Sequence, residues 1–331
     1  MQRRPLLAST LAGCLGALAT LAGLSATTTT AHAQAWPTGP VTLVVPFAAG
    51  SGTDAVARTV AQKLGERLKQ PVLVDNRPGA SAQLAAQYVA KARPDGNTLF
   101  MTTNTSHSAN PSLFTGLKYD PIKDFTPVAR VGELPFVLAV NPALPVRSVK
   151  ELIDHAKAHP GKLSYGTPNS TSLVASETIK RLGGVDIVGI PYKSSPQALT
   201  DLIGGSLQVY VVDLGSGMAT LKTDKVRTLG ITTAEPSPLL PGVPPIARTL
   251  PGFDLTSWNG IFGPAGLPRP VVERLNTELQ ALLAEKDVQD KLAQIGFVVW
   301  PSKTPEEFGQ YVAQQLAHWR TLIQAAGIKP E

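Results

Sequence analysis

The stretch VVPFAAGSGTDAVAR, residues 44–58, carries the clearest chemical signal in the chain. An apolar run ends in small residues and opens into a run with helical spacing. Gly50, Gly52 and Ala55 fit G-x-G-x-x-[GA], and Asp75 closes the next apolar run, PVLVD. That spacing is close to a dinucleotide-binding fingerprint. The physics beneath it is more general. A loop that leaves a strand and starts a helix has free N–H groups, the helix dipole adds partial positive charge, and small residues let an oxyanion approach. Phosphate and carboxylate are both served. Asp75 is followed by NRPG, which reads as a turn after a surface strand. The loop therefore reads first as a small-anion site, with a dinucleotide site and a purely structural turn as rivals. Its candidate residues are Phe47, Ala48, Gly50, Ser51, Gly52 and Thr53, with Thr53 expected to cap the helix and Asp54 in its first turn.

A second polar loop, SYGTPNSTSLVASE (164–177), also follows a strand-like run and enters a helix. Thr167, Asn169, Ser170, Thr171 and Ser172 offer hydroxyls, an amide and N–H groups without charge. A carboxylate held by several such donors needs no arginine. Lys193 or Ser194, in PYKSSPQALTDLIGG, could join the rim. In TTNTSHSANPSLF, Asn104 and His107 lie just past a strand's carboxyl end, where open α/β sheets place ligands. Catalytic motifs are thin. No G-x-S-x-G or H-E-x-x-H occurs. His155 and His159 stand at i and i+4, but Glu151 belongs to a capping box with Ser148, and Pro160 stops the helix. That row reads as a solvated face, and His318 beside Trp319 as packing or surface. No catalytic residue, metal site or cofactor is expected.

The elements that would position these loops alternate. Strand-like runs at 41–45, 71–75, 98–103, 136–140, 163–167, 185–190, 207–213, 226–232, 258–264 and 297–301 are separated by helical patterns. The helices are expected over 53–69, 81–92, 148–160, 171–182, 195–203, 268–286 and 304–325, the last with a Thr304/Glu307 capping box. Such alternation predicts open parallel sheets covered by helices, and there are too many units for one small sheet.

The chain begins with Arg3 and Arg4, an Ala/Leu-rich stretch and the small-residue sites Ala31-His32-Ala33 and Ala33-Gln34-Ala35, the pattern of a cleavable secretory leader over residues 1–33. Export argues against a nicotinamide cofactor. Cys14 is the only cysteine among 331 residues, so the processed chain would hold no disulfide. Net charge is +6, falling to +4 without Arg3 and Arg4, and the basic residues are scattered. A nucleic-acid partner would need a basic patch, so none is expected.

Beyond these features, the chain resembles the substrate-binding proteins of tripartite tricarboxylate transporters, the Bug family. The marks are VPFAAGSGTDAVAR, VDNRPGA, KARPDGNTLF, YDPIKDFTPVARV, HPGKLSYGT, PYKSSPQALTDLIGG, VRTLGIT and GIFGPAGLP, in that order. The resemblance implies an α/β periplasmic binding protein, type II-like, with two α/β lobes joined by two crossover strands around a central cleft. Lobe 1 would comprise 36–136 and 259–331, and lobe 2 residues 137–258. The crossings would fall near ELPFVLAV and LTSWNGIF, with Trp258 at the hinge or cleft. A periplasmic, monomeric protein would close on a small carboxylate and serve transporter subunits or a signalling membrane protein. The loops at 47–53 and 167–172 would bind from opposite lobes, with Asn104 and Asp213 at the cleft. Ala49 and Ser51 depart from the family's more glycine-rich first loop, and STSLVAS lacks a His often found there. The identity of the solute is therefore not carried over. An exported enzyme on the same fold and an NAD-dependent oxidoreductase are the rival functions.

Overall fold

A computed structural model describes residues 36–331; the leader assigned to 1–33 and Cys14 lie outside the described residues. Strand β1 (Val41–Val45) runs buried through the first core and delivers the 47–51 loop to helix α1 (Gly52–Leu68). Strand β2 (Val72–Asn76), helix α2 (Gln83–Ala90) and strand β3 (Thr98–Thr103) follow. After β3 a π-helical turn, Thr105–Ala109, leads into the short helix α3 (Asn110–Leu113). Strand β4 (Phe125–Leu134) passes through Pro135 into strand β5 (Phe136–Val140). Pro135 has no N–H to give to a ladder, and the chain changes sheet there.

Next come helix α4 (Val149–Ala158), strand β6 (Ser164–Thr167), helix α5 (Ser170–Gly183) and strand β7 (Val188–Pro191). Helix α6 (Ser195–Gly204), strand β8 (Val209–Asp213), helix α7 (Leu214–Leu221) and strand β9 (Arg227–Ile231) complete this half. Strand β10 (Ser257–Pro264) returns to the first sheet. Helix α8 (Arg269–Ala284), helix α9 (Lys286–Gln294), strand β11 (Val298–Val299) and helix α10 (Pro305–Ala325) end the chain.

Two sheets result, ordered β11-β4-β10-β3-β1-β2 and β7-β6-β8-β5-β9. The expectation of parallel sheets needs correction. The β1–β2, β1–β3, β6–β7 and β6–β8 pairs are parallel, but β10 runs antiparallel between β3 and β4, and β5 antiparallel between β8 and β9. The strands that join the halves therefore enter each sheet against the grain.

Packing follows this layout. One apolar cluster sets Leu43 and Leu99 against Val60, Leu64, Leu275 and Leu279 of α1 and α8. A second sets Leu138 and Tyr165 against Val174 and Ile179 of α5. A third, aromatic cluster lies on the other face of the first sheet and holds Phe100, Phe125, Trp258, Phe262 and Phe308. Helix α10 reaches two of them: Phe308 and Val312 pack in the aromatic cluster, Trp319 and Ile323 in the second. Beyond α10, the Glu331 N–H donates to the Leu113 carbonyl (2.9 Å), and the Thr115 N–H to that of Glu331 (2.8 Å). Half of each capping box forms as spaced: Ser148 Oγ accepts from the Glu151 N–H at 3.1 Å and Thr304 Oγ1 from the Glu307 N–H at 3.0 Å, while the Glu carboxylates accept the N–H one residue before the cap, Arg147 at 2.7 Å and Lys303 at 2.8 Å.

Candidate functional site

The site begins where β1 hands over to α1. Ser51, not Thr53, is the N-cap: its backbone is extended, and its Oγ accepts the Asp54 N–H at 3.2 Å. Such a cap stabilises a helix by roughly 1 kcal/mol. Asp54 then fixes the loop from inside. Its carboxylate accepts the Gly50 N–H at 2.9 Å, Asn76 Nδ2 at 2.9 Å and Arg58 Nε at 3.0 Å. Burial pushes this carboxyl up, but the Arg58 hydrogen bond, the Gly50 N–H and Asn76 together outweigh it, and the net shift is downward. The Gly50 N–H, a sequence candidate for holding a solute, is thus occupied within its own loop.

Gly52 faces the other sheet. Its N–H donates to Ser216 Oγ at 3.0 Å, and Ser216 Oγ donates onward to Asp213 Oδ2 at 2.9 Å. Asp213 caps α7 by accepting the Ser216 N–H at 2.7 Å, and it also accepts Ser195 Oγ at 2.8 Å. Burial pushes its carboxyl above the ordinary value, only partly offset by these donors. The two backbones nearly touch: a Cβ placed on Gly52 would lie 2.2 Å from Asp213 Oδ1, and one on Gly215 would lie 2.5 Å from Gly52 Cα.

Behind this contact is a cavity of about 20 Å³, lined from one side by Phe47, Ser51, Gly52 and Thr53 and from the other by Asn169, Ser195 and Asp213. Thr103, Thr105, Leu134, Phe136 and Ser257 complete it. No Lys or Arg is among them. About 10–15 Å³ on this measure holds one water, so the space is that of a single small polar group.

Asn104 joins the halves one layer away. Its Nδ2 donates to Ser170 Oγ (3.2 Å) and Thr171 Oγ1 (3.0 Å), its Oδ1 accepts Ser257 Oγ (2.5 Å), and Thr105 Oγ1 lies 2.9 Å from Ser170 Oγ. Asn169 Oδ1 caps α5 through the Ser172 N–H at 2.9 Å. Thr167, Asn169 and Ser170 also line a second, larger chamber of about 450 Å³. Ala48 and Gly50 line neither space, although Gly50 approaches Pro196 of α6.

His107 stands apart from the cavity. Its ring lies 4.1 Å from that of Phe262 and 4.6 Å from that of Phe125, fully buried, with Nδ1 against Ser106 Oγ at 2.8 Å. Burial drives it down to about 3. Trp258 lies in the same aromatic cluster rather than at the cavity. His155 and His159 stack on each other at 4.3 Å, and no cluster of metal-ligating side chains occurs among the described residues. Ser195, Ser257, Thr103 and Thr105 were not singled out by sequence. Ser195 sits one residue beyond Ser194, the rim candidate, and the strand-end rule that drew attention to Asn104 covers Thr103 and Thr105 as well.

The profile described as tripartite tricarboxylate transporter family receptor matches residues 56–328. The chain belongs to that family. Among solved structures, this receptor is similar to the R. palustris protein Rpa4515 with adipate, at 37% identity and a TM-score of 0.87 over 89% of this chain and 100% of that one. It is also similar to the periplasmic binding protein BugD, at 30% identity and 0.85 over 89% and 100%. A third is MatC from Rhodopseudomonas palustris with bound malate, at 33% identity and 0.82 over 87% and 100%. The receptor therefore has the fold of the periplasmic binding proteins of this family.

Proposed function

We propose that this receptor captures a small carboxylate-bearing solute between its two sheets and presents it to transporter subunits in the membrane, without transforming it. One observation carries the reading. The Gly52 N–H, at the positive end of the 17-residue α1 and at the edge of the cavity, is held across the gap between the halves by an oxygen, Ser216 Oγ. A solute carboxylate arriving there takes over that N–H, gains the helix dipole and meets Thr53, Asn169 and Ser195. Charge-assisted bonds of this kind are strong enough to replace a cation.

In this reading lobe 1 is 36–136 with 259–331 and lobe 2 is 137–258, although the packing of Trp319 and Ile323 assigns the end of α10 to the second core. Solute contacts come from both lobes only when they approach, so binding favours closure. Ser51, Gly52, Thr53 and Asn169 make the direct contacts, Asn104, Ser170 and Thr171 hold the lobes in register, and Asp213 fixes Ser195 and Ser216. The bound carboxylates of Rpa4515 and MatC support the solute class. Export by the N-terminal leader and action as a monomer complete the proposal.

Gly52→Leu tests it. The expected outcome is loss of binding to every carboxylate in a thermal-shift panel with secondary structure unchanged by circular dichroism. Binding at wild-type affinity sinks the assignment of the loop.

A further inference from the structure

Asn259 is fully buried, and its Nδ2 has no hydrogen-bond partner. A buried donor in this state is a standing cost to the fold, and such groups in native proteins call for a reason. The surroundings supply one. Successive side chains on β10 alternate between faces. Trp258 turns to the aromatic cluster, while Ser257, on the same face as Asn259, lines the Gly52 cavity. Across the ladder Asn259 pairs with Thr103, another lining residue. The third neighbour is Thr53, also in the lining, whose Oγ1 donates to Asn259 Oδ1 at 3.5 Å. That bond is long and therefore weak, and among the described residues it is the one hydrogen bond of the Thr53 hydroxyl.

The direction of this bond decides what Thr53 offers a solute. A hydroxyl has one proton and two lone pairs. With its proton turned to Asn259 Oδ1, Thr53 has only lone pairs left for the cavity, and these repel a carboxylate oxygen. Half a turn of the amide exchanges Oδ1 for Nδ2 at almost the same positions. Nδ2 then donates to Thr53 Oγ1, and the hydroxyl proton is released to the solute. Either setting leaves one amide atom unpaired, so the exchange costs little in bonds, and an arriving negative charge favours the second. The two bonds, amide to hydroxyl and hydroxyl to carboxylate, then polarise each other. We propose that Asn259 is a positioning residue of the solute site, which turns Thr53 from acceptor to donor as the carboxylate arrives. This inference rests on the carboxylate reading of the Gly52 cavity.

Protein purified from cells expressing the full chain is titrated calorimetrically with adipate, malate, succinate and benzoate, and the tightest binder serves as the probe. Asn259→Leu is expected to weaken its binding about tenfold while the urea midpoint holds or rises, because a buried polar group without a partner is gone. A merely structural amide gives no such split. Thr53→Val alone loses about as much, and in that background Asn259→Leu costs less than about twofold more. In the Thr53→Ser background, which keeps the hydroxyl, the loss of about tenfold returns. Wild-type affinity in Asn259→Leu, with Gly52→Leu unable to bind, assigns the amide to a buried water and overturns the inference while the carboxylate reading stands. Equal losses from Asn259→Leu with and without the Thr53 hydroxyl overturn it as well, as does wild-type affinity in Thr53→Val. Failure of all four carboxylates to bind overturns both readings.

Discussion

Gly52→Ala is a one-methyl test of lobe approach. Gly52 is not among the positive-φ residues, so alanine meets no backbone strain, and the whole effect is contact. The added Cβ lies 2.2 Å from Asp213 Oδ1, 2.6 Å from Leu134 Cδ2 and 3.1 Å from Gly215 Cα. Ordinary carbon contacts fall near 3.5–4.0 Å, so α1 and α7 must part by roughly 1 Å. Overpacking of this kind costs about 1–3 kcal/mol. If solute binds only when the lobes meet, that cost appears in the affinity, as a loss of about 5- to 150-fold. Gly215→Ala reaches the same contact from the other sheet, at 2.5 Å from Gly52 Cα, and should weaken binding within the same range. The double variant should lose less than the sum of the two, because both methyls open one gap. Titration calorimetry against the tightest-binding carboxylate measures all three. Wild-type affinity in both single variants would refute the reasoning.

Two further predictions concern protons. Burial raises the Asp213 carboxyl above its ordinary value of 3.8, so the native state holds a proton that the unfolded chain has released, and stability from this group falls as pH rises above about 4. Asp213→Asn lacks this titration, so urea unfolding should show wild type losing ground to the variant as pH rises above about 4; a pH-independent gap refutes this. His107 works the other way. Its native value of about 3 lies below the model-peptide value of 6.5, so the unfolded chain takes the proton first and stability falls as pH drops through that window, by at most about 5 kcal/mol. His107→Phe removes the term, and wild type should weaken relative to it from pH 6.5 to 4. Parallel pH profiles of the two proteins would place His107 in contact with water.

Local signals in the sequence located the elements that matter most. The glycine loop after β1 and the helix-capping Ser148 and Thr304 depend on neighbours within a few residues, whereas the crossing near ELPFVLAV was legible only through the family resemblance. What escaped depends on distant ones. Strand direction leaves no mark on periodicity, so β10 reads the same whether it runs with or against β3. His107 sits among polar residues in sequence, yet Phe100, Phe125 and Phe262 enclose it in space. Pro127 and Gly132 hide the 125–134 strand from a reading of periodicity. Two glycines, Gly215 and Gly217, mask helix α7 in the same way. Ser216 became visible as Gly52's partner only across a separation of 164 residues.

The last helix has anchorage in two cores, Phe308 and Val312 at one end, Trp319 and Ile323 at the other. The span between them, 313–318, is exposed or half-buried. Any swing of one sheet against the other loads this span as a leaf spring. In the proposed closure its stiffness enters the work of opening and closing, and so the lifetime of a captured solute. Substitutions on its watery face, such as alanine to glycine, would retune release rates from a place that the cargo never visits.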